Sequence, residues 1–415
     1  MLKHLLGSMF KTGSLTMLLP GGKSETYGSG EPHIIARLHD RLAVAELLLD
    51  SDLKLGELYM DGRFTVENGD IADFLELVLA NIGDENAKGL RHLSRLFRSV
   101  TRSIRQFNPM RRAKRNVAHH YDLSAKLYET FLDADRQYSC GYFARGDENL
   151  DEAQAAKKRH IAAKLQLERP GLKILDIGCG WGGLALDLAR DAGAQVLGIT
   201  LSEEQIAMAR QRSEQARLTD RCRFELADYR ALSGMYDRIV SVGMFEHVGV
   251  PQYPVFFNKV HDLLADDGVM LLHTIGRAQY GPGISNPWIT KYIFPGGYTP
   301  ALSEVLPAIE KSGLVVTDIE VLRLHYAKTL KLWQQRFRAH WQEVARLYDE
   351  RFCRMWNFYL TVMEIAMRRE GLAIFQIQLT KKIGTLPITR DYMLDVEREM
   401  AEARLNVQIP ESHAA

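Results

Sequence analysis

Lys173-Ile174-Leu175-Asp176-Ile177-Gly178-Cys179-Gly180-Trp181-Gly182-Gly183, followed by Leu184-Ala185-Leu186-Asp187-Leu188-Ala189-Arg190, decides how the rest of the chain is read. A short apolar run with β-branched residues, then glycines, then apolar residues at helical spacing predicts strand, tight turn and helix. Such a turn suits a nucleotide. Glycines let the backbone approach a ligand closely, and the helix behind them offers N–H groups and a positive dipole end.

The placement of the nearby acids narrows the ligand. A dinucleotide site needs a carboxylate closing the second strand, roughly 20 residues on, for a ribose hydroxyl. Here the second strand, Gln195-Val196-Leu197-Gly198-Ile199-Thr200, runs into Leu201-Ser202 with no acid. The acids stand instead at Asp176, just before the first glycine, and at Asp228, after a third strand over 222–227. Acid-Gly-x-Gly-x-Gly with an acid after strand three is the pattern of S-adenosylmethionine (SAM) methyltransferases. In that pattern the turn meets the methionine half and the later acid meets the adenine. Ser202-Glu203-Glu204-Gln205 has capping-box form, which starts the next helix and turns Thr200 and Gln205 toward the ligand.

Outward from this core, Arg238-Ile239-Val240-Ser241-Val242-Gly243-Met244 and Val269-Met270-Leu271-Leu272-His273-Thr274-Ile275 are nearly continuous apolar runs. That character indicates parallel strands covered on both faces. Segments 314–324 and 372–380 supply further strands. The expected fold is therefore α/β: a doubly wound, mostly parallel, seven-stranded class I SAM-methyltransferase sheet with helical insertions and a small N-terminal accessory domain. Ligands of such sheets collect at the carboxyl ends of the strands, where Asp176, Thr200, Asp228, Glu246 and His273 all fall.

Boundaries are expected at 1–90 for an accessory, lipid-binding domain, 91–120 for a basic helical linker, 121–390 for the catalytic domain and 391–415 for a tail. Within the first, helical segments at 43–49 and 71–82 flank a strand-like piece at 55–64, and nothing has catalytic spacing. In the linker, Arg91, Arg95, Arg98, Arg102 and Arg105 share one helical face opposite Leu93, Phe97, Val100, Ile104 and Phe107, and Arg111-Arg112-Ala113-Lys114-Arg115 follows Pro109. This is either a solvated helix or a surface for anionic phospholipid head groups, each basic residue contributing about 1 kcal/mol. Nucleic acid is disfavoured because stacking aromatics are sparse there. Two insertions in the catalytic domain, 277–300 and the aromatic 326–370, are either extra core or the walls of an apolar tunnel for an acyl chain.

Composition sets the outer limits. The 415 residues favour two domains, and 46% hydrophobic content fills a sizeable core. A net charge of +1 gives no overall pull toward polyanions. The four cysteines, Cys140, Cys179, Cys222 and Cys353, lack ligand spacing and read as reduced thiols of a cytoplasmic protein. The adjacent His119 and His120 lack partners at ligand spacing, so no metal is expected. No apolar run is long enough to span a membrane. The stripe Leu2, Leu5, Leu6, Met9 and Phe10 suits a surface amphipathic helix or one packed on its own domain, rather than a signal peptide.

The sequence resembles the cyclopropane-fatty-acyl-phospholipid synthases. The likeness runs through Tyr138-Ser139-Cys140, the glycine turn, Gly198 to Gln205, Val242-Gly243-Met244-Phe245-Glu246-His247-Val248-Gly249, Leu272-His273-Thr274-Ile275-Gly276, Trp288 to Pro295 and His325-Tyr326. It implies a SAM-dependent enzyme that adds a methylene to a cis double bond in a phospholipid acyl chain. The alkene takes the methyl, a carbocation forms on the chain, and proton loss closes the ring. It further implies a bound bicarbonate ion as the base, held by Cys140, Glu246, His273, Ile275 and Tyr326. SAM would meet Tyr138, Ser139, Asp176, Gly178, Gly180, Thr200, Leu201, Gln205 and Asp228. The alternative outcome is a fatty-acyl carbon methyltransferase giving a methyl-branched or methylated unsaturated chain. The implied location is cytoplasmic and peripheral to the membrane, with a homodimer as one open state. The chain departs from the family at Arg63-Phe64, where relatives often carry a tryptophan-rich pair, and over 277–286.

Overall fold

The computed structural model describes residues 10–81, 125–279, 281, 283 and 285–408, with side chains to 402. The stripe beginning at Leu2, the arginine face, the 111–115 cluster and the histidine pair at 119–120 lie outside the described residues, apart from Phe10.

The N-terminal segment runs β1 (Gly13–Leu19), β2 (Lys23–Ser29), β3 (His33–Leu38), α1 (Arg41–Leu49), α2 (Ser51–Met60), β4 (Phe64–Val66) and α3 (Ile71–Asn81). Its strands form a sheet in the order β2-β1-β3-β4. The strand expected over 55–64 is corrected: Leu55 to Met60 finish helix α2, the chain turns at Asp61-Gly62, and only Phe64–Val66 is extended. Packing decides this. Leu58 and Met60 bury one face of α2, and at Gly56 an added Cβ would lie 2.5 Å from the Trp288 indole nitrogen. Arg63 is tied to Asp40 through two nitrogens, at 2.8 and 2.7 Å, and to Glu46 at 2.8 Å. Phe64 packs edge-on to Phe74 with ring centres 4.8 Å apart.

The chain continues through α4 (Ala125–Phe131), α5 (Leu150–Lys164), β5 (Lys173–Ile177), α6 (Gly183–Asp191), β6 (Gln195–Thr200), α7 (Glu203–Gln215), β7 (Cys222–Leu226), β8 (Tyr236–Val242), α8 (Tyr253–Leu263) and β9 (Leu264–Arg277). After these come α9 (Pro287–Tyr292), α10 (Leu302–Lys311), β10 (Val315–Leu322), α11 (His325–Ala339), α12 (Trp341–Leu347), α13 (Glu350–Arg369), β11 (Leu372–Thr380) and α14 (Asp391–Gln408). Seven strands form one sheet in the order β10-β11-β9-β8-β5-β6-β7. The five from β9 to β7 are mutually parallel, and β11 runs antiparallel to both β9 and β10. Alternate strand residues enter opposite cores. Leu175, Ile239, Met270 and Leu272 pack with residues of α8 and α10 on one face, while Ile174, Val196, Val240 and Leu271 pack with α6 on the other. Covering both faces is why these strands are apolar without alternation.

Contacts group the chain into two units, one of 1–105, 283–295 and 330–370, the other of 106–282, 296–329 and 371–415. Most of both helical insertions therefore groups with the N-terminal segment, which a boundary drawn along the chain does not capture. In the first unit Trp333, Phe337, Trp356 and Tyr359 are all buried, with Trp356 edge-on to Tyr359 at 5.3 Å. In the second unit the C-terminal segment forms α14 along α5, where Glu397 Oε2 and His160 Nδ1 are 2.9 Å apart. Among the described residues no helix is long and apolar enough to cross a membrane. All four cysteines are free thiols.

Candidate active site

The turn after β5 uses left-handed backbone where only glycine is unstrained, with φ of 88° at Gly178, 55° at Gly180 and 83° at Gly182. The Gly178 and Cys179 N–H groups both donate to the Ile199 carbonyl at 2.9 Å. Those two donors therefore brace the turn against β6 and do not serve a ligand. An added Cβ at Gly178 would sit 2.8 Å from Met244 Cβ, whereas at Gly180 it would meet nothing within 4 Å. The second glycine thus faces open space.

That space is a cavity at the strand ends, and it collects every residue the SAM pattern singled out. Asp176, Gly178 and Gly180 line it together with Thr200, Leu201, Gln205 and Asp228 and with Tyr138 and Ser139. Ser202 caps α7 by accepting the Gln205 N–H at 3.3 Å, and the Thr200 hydroxyl donates to Gln205 Oε1 at 2.7 Å. Burial pushes the Asp176 carboxyl up to about 7, against the pull of the Lys157 ammonium. Asp228 is not bare: Arg230 Nε and Nη2 reach its two oxygens at 2.8 and 2.6 Å. A ligand at that side meets an ion pair. Arg136, Gln137, Trp181, Arg230 and Met244 also line the cavity, with no signal of their own in the sequence beyond adjacency to motif residues.

The segment from Gln137 to Phe143 is held from behind by α5 and α11. Gln154 Nε2 donates to the Ser139 carbonyl at 2.8 Å, and Lys157 Nζ donates to Gln137 Oε1 at 2.5 Å and Ser139 Oγ at 2.8 Å. Gly141 N–H donates to Thr329 Oγ1 at 3.0 Å and Phe143 N–H to His325 Nδ1 at 2.9 Å. Lys157 is buried, and burial pulls its ammonium down to about 8. Sequence reading missed Gln154 and Lys157 because a polar residue on a helix looks solvated until its neighbours are known.

The five bicarbonate-site candidates do not line the cavity. Cys140 and Glu246 adjoin lining residues in sequence, and His273 pairs across the sheet with the lining residue Val242. Glu246 sits between the cavity-lining residues Met244 and His247, and Cys140 directly follows Ser139. Glu246 Oε1 accepts the Ile275 N–H at 2.5 Å, and Gly243 N–H donates to the His273 carbonyl at 2.9 Å. His273 and Ile275 are two apart on β9 and share a face. Tyr326 is buried in the first turn of α11, one turn before the Thr329 that anchors Gly141 beside Cys140. Burial raises Glu246 to about 7, opposed by the Ile275 N–H, and holds the His273 imidazole well below its ordinary value. Burial likewise pushes the Cys140 thiol far above the range of a nucleophile, so its sulfur stays protonated. Glu246 Oε2 and His273 Nε2 are buried with no hydrogen-bond partner among the described residues.

Comparison with known proteins gives the family. The family model described as mycolic acid cyclopropane synthetase matches residues 108–377, and one described as a domain of unknown function matches 1–84. The cyclopropane-fatty-acyl-phospholipid synthase of Escherichia coli K12 is 39% identical over 337 residues, covering 81% of this chain and 85% of that protein. A probable fatty acid methyltransferase of Pseudomonas putida is 35% identical, covering 87% and 92%. A mycolic acid cyclopropane synthase solved with SAH and CTAB superposes with a TM-score of 0.61 at 35% identity, covering 66% of this chain and 99% of that one.

Proposed function

Because the chain belongs to the mycolic acid cyclopropane synthetase family, we propose that it converts cis double bonds in the acyl chains of membrane phospholipids to cyclopropanes. SAM would supply the electrophilic one-carbon unit and bicarbonate the base that takes a proton from the new methyl group. The observation that carries this reading is the adjacency of two differently built compartments, the cavity at the glycine turn and the buried polar pair Glu246 and His273.

The residues suit those two groups. Around the cavity, the open space at Gly180, the Thr200–Gln205 pair and the Asp228–Arg230 pair offer both donors and acceptors to a zwitterionic nucleoside. In the cluster, the partnerless Glu246 Oε2 and His273 Nε2 suit a small ion that carries both a hydroxyl and acceptor oxygens. Glu246 would take the hydroxyl proton, His273 and the Tyr326 hydroxyl would hold the oxygens, and Cys140 would act through its backbone. Removing water and fixing donors beforehand is how a site stabilises charge that develops only during reaction. A carbocation on the acyl chain gains the same way from a fixed anion beside it.

The lipid would be met at the cytoplasmic membrane surface by the arginine-rich stretch 91–105, and the aromatic insertions would hold its acyl chain. A second reading keeps SAM and the chain but yields a methyl-branched or methylated unsaturated product, and the likeness to a probable fatty acid methyltransferase favours it. Expression in a host lacking cyclopropane lipids, with mass spectrometry and ozonolysis of the extract, separates the two. A product one CH₂ heavier and resistant to ozone supports ring closure. A product one CH₂ heavier that ozone still cleaves, or an ozone-resistant product heavier by CH₄ formed with hydride from a host reductant, selects the second reading.

A further inference from the structure

The strand β11 carries two buried glutamines, Gln376 and Gln378, within a run that is otherwise apolar up to its last residue, Thr380. Gln378 is spent on structure: its amide nitrogen donates to the Lys164 carbonyl at 2.6 Å and to the Tyr392 hydroxyl at 2.8 Å, and its Oε1 accepts from Thr317 at 2.9 Å. Gln376 is different. It pairs directly across the ladder with His273, so both side chains leave the same face, and its Nε2 lies 3.2 Å from His273 Nδ1. Its Oε1 and the far ring nitrogen, His273 Nε2, are buried without partners among the described residues.

We propose that Gln376 is a positioning residue for the anion site: its side-chain amide donates to His273 Nδ1 and so fixes the ring proton on Nε2, where it is offered to the bound anion. This rests on the bicarbonate reading above. A neutral imidazole has one donor and one acceptor nitrogen, so a donor at Nδ1 assigns the proton to Nε2. Turning the amide over would put a carbonyl against Nδ1, draw the proton there, and leave an Nε2 lone pair facing an anion. Protonating both nitrogens is resisted by burial and by the nearby positive charges of Lys157, Lys164 and His160, with Glu320 pulling the other way. The ring is thus a neutral, oriented donor, and Gln376 supplies the orientation.

Nitrogen-15 NMR of the full-length protein labelled in its histidine rings reads this directly, with His273 assigned by its loss in His273→Asn. The expected spectrum has Nε2 protonated and Nδ1 bare across neutral pH. Gln376→Leu should mix the two tautomers and raise the bicarbonate needed for half-maximal turnover in CO₂-depleted buffer by roughly tenfold, with KM for SAM unchanged. Gln376→Glu, which as a carboxylate accepts and cannot donate, should at alkaline pH move the proton to Nδ1. A wild-type spectrum with Nδ1 protonated, or a Gln376→Leu spectrum identical to wild type, overturns the proposal. Wild-type turnover indifferent to bicarbonate would sink the anion reading alone, because the ring spectrum still decides the tautomer.

Discussion

Around the glycine turn, ligand-facing positions come from left-handed backbone, the buried Asp176 carboxyl and the Asp228–Arg230 ion pair. The cluster at Glu246 and His273, beside the cavity-lining residues His247 and Val242, is made of titratable groups sealed from water, the carboxyl raised to about 7 and the imidazole held neutral. The first compartment selects by shape and by paired charge, with the buried Asp176 carboxyl as its electrostatic cost. The second stores unsatisfied polar atoms, which folding alone would remove. A substitution should therefore damage binding in one compartment and chemistry in the other, and the separation can be measured.

The largest effect is expected from Glu246→Ala, which should lower turnover by about 10³-fold, the scale of a lost acid–base group. The dissociation constant for SAM, from calorimetry, should stay within about twofold. Full activity would end the proposed role. Gly178→Ala should do the reverse: an Ala in the left-handed region and a Cβ against Met244 together cost about 2–4 kcal/mol. Titration should then show SAM binding weakened by roughly 30-fold or more.

A subtler contrast comes from pH. Glu246 ordinarily titrates at 4.5 but near 7 in the folded chain. Between those values the folded state keeps a proton that the unfolded state has lost, so this group's stability contribution is complete at low pH and falls as pH rises through about 7. Glu246→Gln removes that loss. Denaturant titration should find the variant more stable than its parent by up to about 3 kcal/mol at mildly alkaline pH and without that gain near pH 4. The smallest effect sharpens the boundary of the cavity. Ser202 caps α7, and Asp349 caps α13 by accepting the Phe352 N–H at 2.6 Å; Ser202→Ala and Asp349→Ala each delete such a cap, at about 1 kcal/mol in thermal unfolding. Only the first, beside Gln205, should weaken SAM binding, and a matching loss in Asp349→Ala would blur the distinction.

How much of this was legible depended on whether a residue's role is local. The parallel strands announced themselves because each is covered on both faces, and Asp176, the turn glycines, Thr200, Gln205 and Asp228 lay at strand ends and in turn and cap motifs set by neighbours in sequence, whereas Tyr138 and Ser139 were marked only by the family resemblance. The N-terminal sheet was not legible: Lys23–Ser29 is a polar edge strand with no apolar alternation to show it. Residues 55–60 misled because Gly56 signals a break, although here it lets Trp288 approach a helix. Gln376, Lys157 and Gln154 were invisible for the same reason, since their meaning lies in partners from distant segments.

One such distant tie has a consequence for anyone dividing this protein into pieces. His160 is gripped by Glu320 on β10 and Glu397 on α14, its ring lies flat on Tyr142 at 4.0 Å, and Tyr142 in turn stacks on His325 at 5.1 Å, next to Tyr326. A version trimmed after the last strand would keep all seven strands and every cavity residue, yet withdraw one of two counter-charges from the foot of that column of rings. The minimal working module is consequently larger than the sheet, and a graft or fusion joint belongs beyond Glu397.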